Sequence, residues 1–178
     1  PAIIPPYSHN LVISDLVFSQ DETQLFSLGF EGSLMIWDLR TSTPVKKIMA
    51  HKRECYSMSL SKNGDRVATA SADSTIKIWD TKDFSLLKTI STKDRNLSVS
   101  WSPADSFLVA GGSSGIIQIY ETKSYKFVEG LISSESSIYD ARFFRSNKMI
   151  ISASNDGHLK LELRGTGKVG MDIAMDVP

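Results

Sequence analysis

The chain has 178 residues, 41% of them hydrophobic and 22% charged, the make-up of a globular protein that faces water. Its 20 basic and 20 acidic residues cancel, so no overall charge points to nucleic acid or a membrane surface as a partner. No apolar run approaches the roughly 20 residues that span a bilayer, and the single cysteine, Cys55, excludes an internal disulfide. A reducing, intracellular setting, cytoplasmic or nuclear, is therefore expected. Residues 1–7, PAIIPPY, have neither a basic region nor an apolar core and do not read as a secretory signal; without an initiator Met they suggest a trimmed piece.

In chain order, the first group of elements is three strand-length runs at 13–19, 24–28 and 34–37, separated by turn-forming residues at 20–23 and 31–33. A fourth run at 45–49 carries Lys46 and Lys47, which suit an edge strand because charge discourages stray pairing. The next group repeats the pattern at 55–60, 66–70, 75–79 and 84–90. Alternation in 75–79 puts Ile76 and Ile78 on one face and Thr75, Lys77 and Trp79 on the other. Asn63-Gly64 suits the positive backbone angles of a tight hairpin turn. Runs at 97–101, 107–111, 116–120 and 126–131 follow, with Pro103 in a loop where its missing N–H costs nothing. The last group reads 137–143, 148–153, 158–163 and an outer run at 171–175. No stretch reads as a helix of any length.

Ile36-Trp37-Asp38, Ile78-Trp79-Asp80 and Ile119-Tyr120-Glu121 stand 42 and 41 residues apart, and Leu161-Glu162 follows after a further 42. Units of about 40–45 residues, built of short strands and ending in Trp-Asp, are the mark of propeller blades. On these residues the chain resembles the WD-repeat family. The resemblance implies an all-β fold, a β-propeller of four-stranded antiparallel blades. Four blades are present, approximately 9–50, 51–91, 92–133 and 134–178, in a single propeller region. The family's structural tetrad joins a His before the first strand, a Ser or Thr on the second, an Asp in the next turn and a Trp on the third. Carried over by position, it falls on His51, Thr69, Asp73 and Trp79. The first blade offers His9, Ser27, Glu31 and Trp37. The third has Thr92, Ala110, Ser114 and Tyr120, so its network is largely lost. The fourth keeps Ser152 and Asp156 but has Ser134 and Glu162 at the other two positions.

Little suggests catalysis. Of three histidines, two belong to the tetrad and His158 reads as a solvated turn residue; no His or Cys pair has metal-ligand spacing, so no metal, cofactor or catalytic residue is expected. Gly165-Thr166-Gly167-Lys168 is not a phosphate loop, since Val169 follows the lysine. The resemblance instead implies a scaffold that binds protein or peptide partners on the face where first strands begin. By position that face would carry Ser14, Phe30, Arg53, Tyr56, Met58, Leu97, Tyr139 and Asn155. Several of these are of types enriched in interface cores. Trp37-Asp38-Leu39-Arg40 is similar to a motif by which some WD-repeat substrate receptors dock the adaptor of a cullin-type ubiquitin ligase, the alternative role. Four blades would form an open arc with unprotected end faces, so the ring is expected to be completed by further blades or another copy.

Overall fold

A computed structural model describes residues 8–144, 146–166 and 168–174. They form four antiparallel sheets, each a simple meander of four strands. Blade one comprises β1 (Ile13–Phe18), β2 (Gln24–Gly29), β3 (Ser33–Asp38) and β4 (Thr43–Met49). Blade two comprises β5 (Cys55–Leu60), β6 (Arg66–Ser71), β7 (Thr75–Asp80) and β8 (Leu86–Ser91). Blade three comprises β9 (Asn96–Trp101), β10 (Phe107–Gly112), β11 (Ile116–Glu121) and β12 (Phe127–Ile132). Blade four comprises β13 (Ile138–Phe144), β14 (Met149–Ser154), β15 (His158–Leu163) and β16 (Lys168–Ala174), with one 3-10 turn at Ser146–Lys148.

Three of these elements correct the sequence reading. Phe84, expected to open a strand, sits in the preceding turn at φ 61° and is buried edge-on against Phe26. His158 opens β15 as the expected run 158–163 does, but it is not simply a solvated turn residue, since its Nδ1 lies 2.6 Å from Asp172. The outer strand of blade four begins at Lys168, ahead of the expected 171; the last residue of that expected run, Met175, lies outside the described residues, as do residues 1–7 and Gly167.

The blades stack because the middle strands of blades two and three bury both faces. Ile76 and Ile78 of β7 are fully buried against Val99, Leu108, Ala110 and Tyr120 of blade three. Trp79, on the opposite face of the same strand, packs with Phe26, Leu28, Leu34 and Ile36 of blade one. The third seam joins Val109, Ile117 and Ile119 to Ile138, Ala141 and Ile150. Each such aliphatic side chain contributes roughly 1.5–3 kcal/mol by leaving water. A blade thus shows an aliphatic face to its successor and a tetrad-bearing face to its predecessor.

First strands lie side by side, β1 against β5, β5 against β9 and β9 against β13, and form the inner edge of the stack. Their ladders end there, leaving backbone donors that a neighbour must satisfy. Asp15 accepts from Met58 N at 2.7 Å, while Ser57 and Ser59 accept from Val99 N and Trp101 N, each at 3.3 Å.

Among the described residues nothing covers either end of the stack. Leu16 and Phe18 of blade one are more than half exposed, and so nearly are Met171 and Ile173 of blade four. Met171 and Ile173 pair across the ladder with Leu161 and Leu159, giving one apolar sheet face.

Candidate functional site

Two polar networks hold the turns of blades one and two. In blade two, His51 Nδ1 lies 3.0 Å from Asp73 Oδ2 and His51 Nε2 lies 2.8 Å from Thr69 Oγ1, which accepts the Trp79 indole N–H at 3.0 Å. The indole has only a donor, so the Thr69 hydroxyl proton goes to Nε2, and the imidazole carries its own proton on Nδ1. Burial drives the His51 pKa below its ordinary 6.5, outweighing the pull of Asp73, and the ring is neutral. Burial alone would raise Asp73, but bonds from Thr75, His51 and Lys52 N together outweigh it and keep the carboxyl below its usual range.

Blade one repeats the arrangement with a longer carboxylate. His9 Nδ1 meets Glu31 at 2.8 Å, His9 Nε2 meets Ser27 Oγ at 2.6 Å, and Trp37 donates to that hydroxyl at 2.8 Å. Ser33 joins by donating to Glu31. The space is full: a Cβ added to Gly29 would collide with both His9 and Glu31.

Blades three and four are held differently. In blade four Ser134 donates to Asp156 at 2.6 Å, which with Ser154 holds that carboxyl well below its usual range. Ser152 meets Ser133 at 2.9 Å, one residue before the expected position. Glu162 stands where the other blades have an aromatic ring, 1% exposed, with Oε2 unpartnered among the described residues. In blade three the chemistry is reversed: the loop supplies the carboxylate, Asp94, and the turn supplies the hydroxyls of Ser113 and Ser114, at 2.5 and 2.6 Å. Thr92 bonds Asn96 instead of reaching Ala110 or Ser114. Sequence spacing could not find Asp94, because the loop after β8 has four residues (92–95) where its counterparts have five (50–54 and 133–137).

The rim where first strands begin gathers most of the expected partner-binding residues. Phe30 and Tyr56 meet edge to face at 5.3 Å, and the Tyr56 hydroxyl accepts from Arg95 at 3.2 Å, so blades one, two and three are linked in one row. Arg95 escaped the sequence reading, although it is the loop residue nearest the start of β9. Tyr139 is 58% exposed and donates to Asn155 at 3.1 Å; Arg53 is exposed beside Glu54. Ser14 is half-buried with its hydroxyl on the Leu28 carbonyl, and Leu97 is half-buried. Met58 is a correction: it is 6% exposed and packed among Phe26, Leu28 and Trp79, because residues at alternate positions of β5 point into the seam. Val99, Ala141 and Ala72 are buried as well. Arg40 folds back on Asp38, with NH2 to Oδ2 at 3.0 Å and backbone N to Oδ1 at 2.8 Å.

The family model described as "WD domain, G-beta repeat" matches residues 5–38, 42–80, 84–121 and 126–161. The chain belongs to the WD-repeat family. As a WD-repeat protein it is 26% identical to Autophagy-related protein 16 of Arabidopsis thaliana, over 81% of this chain and 29% of that one. It is 34% identical to Eukaryotic translation initiation factor 3 subunit I of Bombyx mori, over 71% of this chain and 35% of the relative. Protein HIR1 of Cryptococcus neoformans is 35% identical over 59% of this chain and 13% of its own length. Among solved structures, "Structure of U3-55K" superposes with a TM-score of 0.86 at 17% identity, over 93% of this chain and 53% of the other. "Crystal structure of RRP9 WD40 repeats" does so at 0.85 and 18%, covering 91% of this chain and 51% of the other. This WD-repeat chain therefore spans about half of the solved propellers it matches, and less of those three curated relatives.

Proposed function

We propose that this chain is a non-catalytic WD-repeat scaffold that binds a protein or peptide on its first-strand rim and supports assembly of a complex inside the cell. The observation that carries this is the row Phe30–Tyr56–Arg95, two aromatic rings and a guanidinium tied across three blades. Such groups, held rigid at a surface, suit the anchors of an interface. One relative is named as a subunit, which fits an assembly role. Tyr56→Ala is the test. It should abolish binding of peptides selected from a display library on the wild-type chain, with little change in melting temperature. Selected peptides that bind the variant equally well overturn the reading.

The ring is completed by further blades or by another copy. Support comes from the two apolar end faces, one of each kind that meets within a seam. Light scattering on residues 1–178 should show association that grows with concentration; a concentration-independent monomer refutes this. For Trp37-Asp38-Leu39-Arg40 we favour a local polar turn over ligase-adaptor docking, since Asp38 already occupies the Arg40 guanidinium.

A further inference from the structure

Three blades supply an ammonium group of their own to one spot on the tetrad-bearing face. In blade two Lys77 Nζ donates to the Ala50 carbonyl at 2.5 Å and lies 5.9 Å from the centre of the Trp79 ring. In blade four Lys160, opposite Ser152 as Lys77 is opposite Thr69, donates to the Ser133 carbonyl at 2.5 Å. In blade one Met35 has that register, and Lys47 across the ladder supplies the ammonium, 2.6 Å from the Ser8 carbonyl.

Blade three differs. Its register position, opposite Ala110, is Gln118, whose carboxamide oxygen is taken by the Tyr120 hydroxyl at 2.6 Å. Tyr120 is smaller than a Trp, Ala110 lacks a hydroxyl, and the loop above is one residue shorter. A cavity of ≈ 430 Å³ results, lined by Thr92, Lys93, Asp94, Gln118, Tyr120 and Phe127 among others. Tyr120 and Phe127 meet edge to face, 75° apart at 5.9 Å, and present a corner of two aromatic rings. Phe127 is 58% exposed, so the mouth opens to solvent. Lys93 and Asp94 both stand at the loop wall, with the Asp94 carboxylate bonded to Ser113 and Ser114.

We propose that this cavity receives a lysine side chain from a partner protein, its ammonium standing where Lys77 and Lys160 stand in their own blades. The aromatic corner attracts a cation through its ring faces, and the stem lies along apolar surface. The site lies between the loop at 92–94 and the outer strand of blade three and shares no residue with the row Phe30–Tyr56–Arg95, so its failure would leave the rim reading intact.

The test is a titration of the isotope-labelled 178-residue chain with Nα-acetyl-lysine-N-methylamide, followed by NMR, with the norleucine and glutamate analogues as comparators. The lysine probe should shift Gln118, Tyr120 and Phe127 resonances saturably, and the norleucine analogue should bind roughly tenfold more weakly because it lacks the cation. Gln118→Lys, which gives blade three the lysine of its siblings, should abolish the shifts and raise the melting temperature. Phe127→Ala, at the exposed lip, should weaken binding while the rest of the spectrum stays folded. Equal binding of norleucine, preference for glutamate, or undiminished binding by a folded Gln118→Lys each overturn the proposal. Should Gln118→Lys not fold, undiminished binding by Phe127→Ala overturns it.

Discussion

Thr69→Val removes one oxygen from the fully buried centre of the blade-two network and keeps the side chain's shape. Two groups lose their partner. Trp79 Nε1–H loses its acceptor at 3.0 Å, and His51 Nε2 loses its donor at 2.8 Å, while neither can turn to water from a 5% or 4% exposed residue. Each unsatisfied buried group costs about 1–3 kcal/mol, and partial relaxation argues for the lower half of the summed range, about 2–4 kcal/mol. Thr69→Ser restores the oxygen and should recover most of that loss. Ser152→Ala in blade four breaks one hydroxyl pair at 2.9 Å and should cost about 1 kcal/mol. Urea denaturation followed by tryptophan fluorescence measures all three. A Thr69→Val chain within about 0.5 kcal/mol of wild type, the size of a neutral surface change, would show that the network does not act as a bonded unit.

Stability should fall with acid from the histidine side first. His51 has a lower pKa folded than its ordinary 6.5, so the unfolded chain takes the proton first; this contribution is complete above pH 6.5 and is lost as pH falls below it. Melting temperatures across that window should decline in wild type and flatten in His51→Gln, and a flat wild-type profile refutes the assignment. Asp73 and Asp94, both lowered, add a second decline only below about 3.8. Gly115→Ala should cost more than about 2 kcal/mol, because φ is +74° and the new methyl would strike the Ser134 carbonyl. Ser74, the counterpart of Gly115 in blade two, already has φ 61°, and Ser74→Gly should stabilise by up to about 1 kcal/mol in the same denaturation assay.

The spacing of Trp37, Trp79 and Tyr120 carries the fold because strand and turn lengths repeat, so every tetrad position follows from one. That logic works wherever loop lengths are equal, and it reached His9, Ser27, Glu31 and Trp37 without any contact being known. It misses where one residue is dropped: Asp94 lies two positions past Thr92, and only coordinates reveal a carboxylate moved from turn to loop. Period-two alternation assigns residues to faces but cannot tell a face meeting water from one meeting the next blade. Position within the blade has the same blind spot: it assigns Met58 to the rim, and the side chain lies in a seam. Arg95 offers no local pattern at all; its contact is with Tyr56, 39 residues earlier.

The inner-edge bonds run in one direction. Acceptor side chains Asp15, Ser57 and Ser59 sit on the earlier blade, and backbone donors Met58 N, Val99 N and Trp101 N on the later one. Cutting the chain is therefore not symmetric. Among the described residues, removing the last blade strands no donor of this kind, whereas removing the first deprives Met58 N of its carboxylate. In a stack whose stability is a sum of neighbour terms, damage should spread from the amino end inward more readily than from the carboxyl end outward. A truncation series read by hydrogen exchange at β5 and β9 would display that polarity as a gradient.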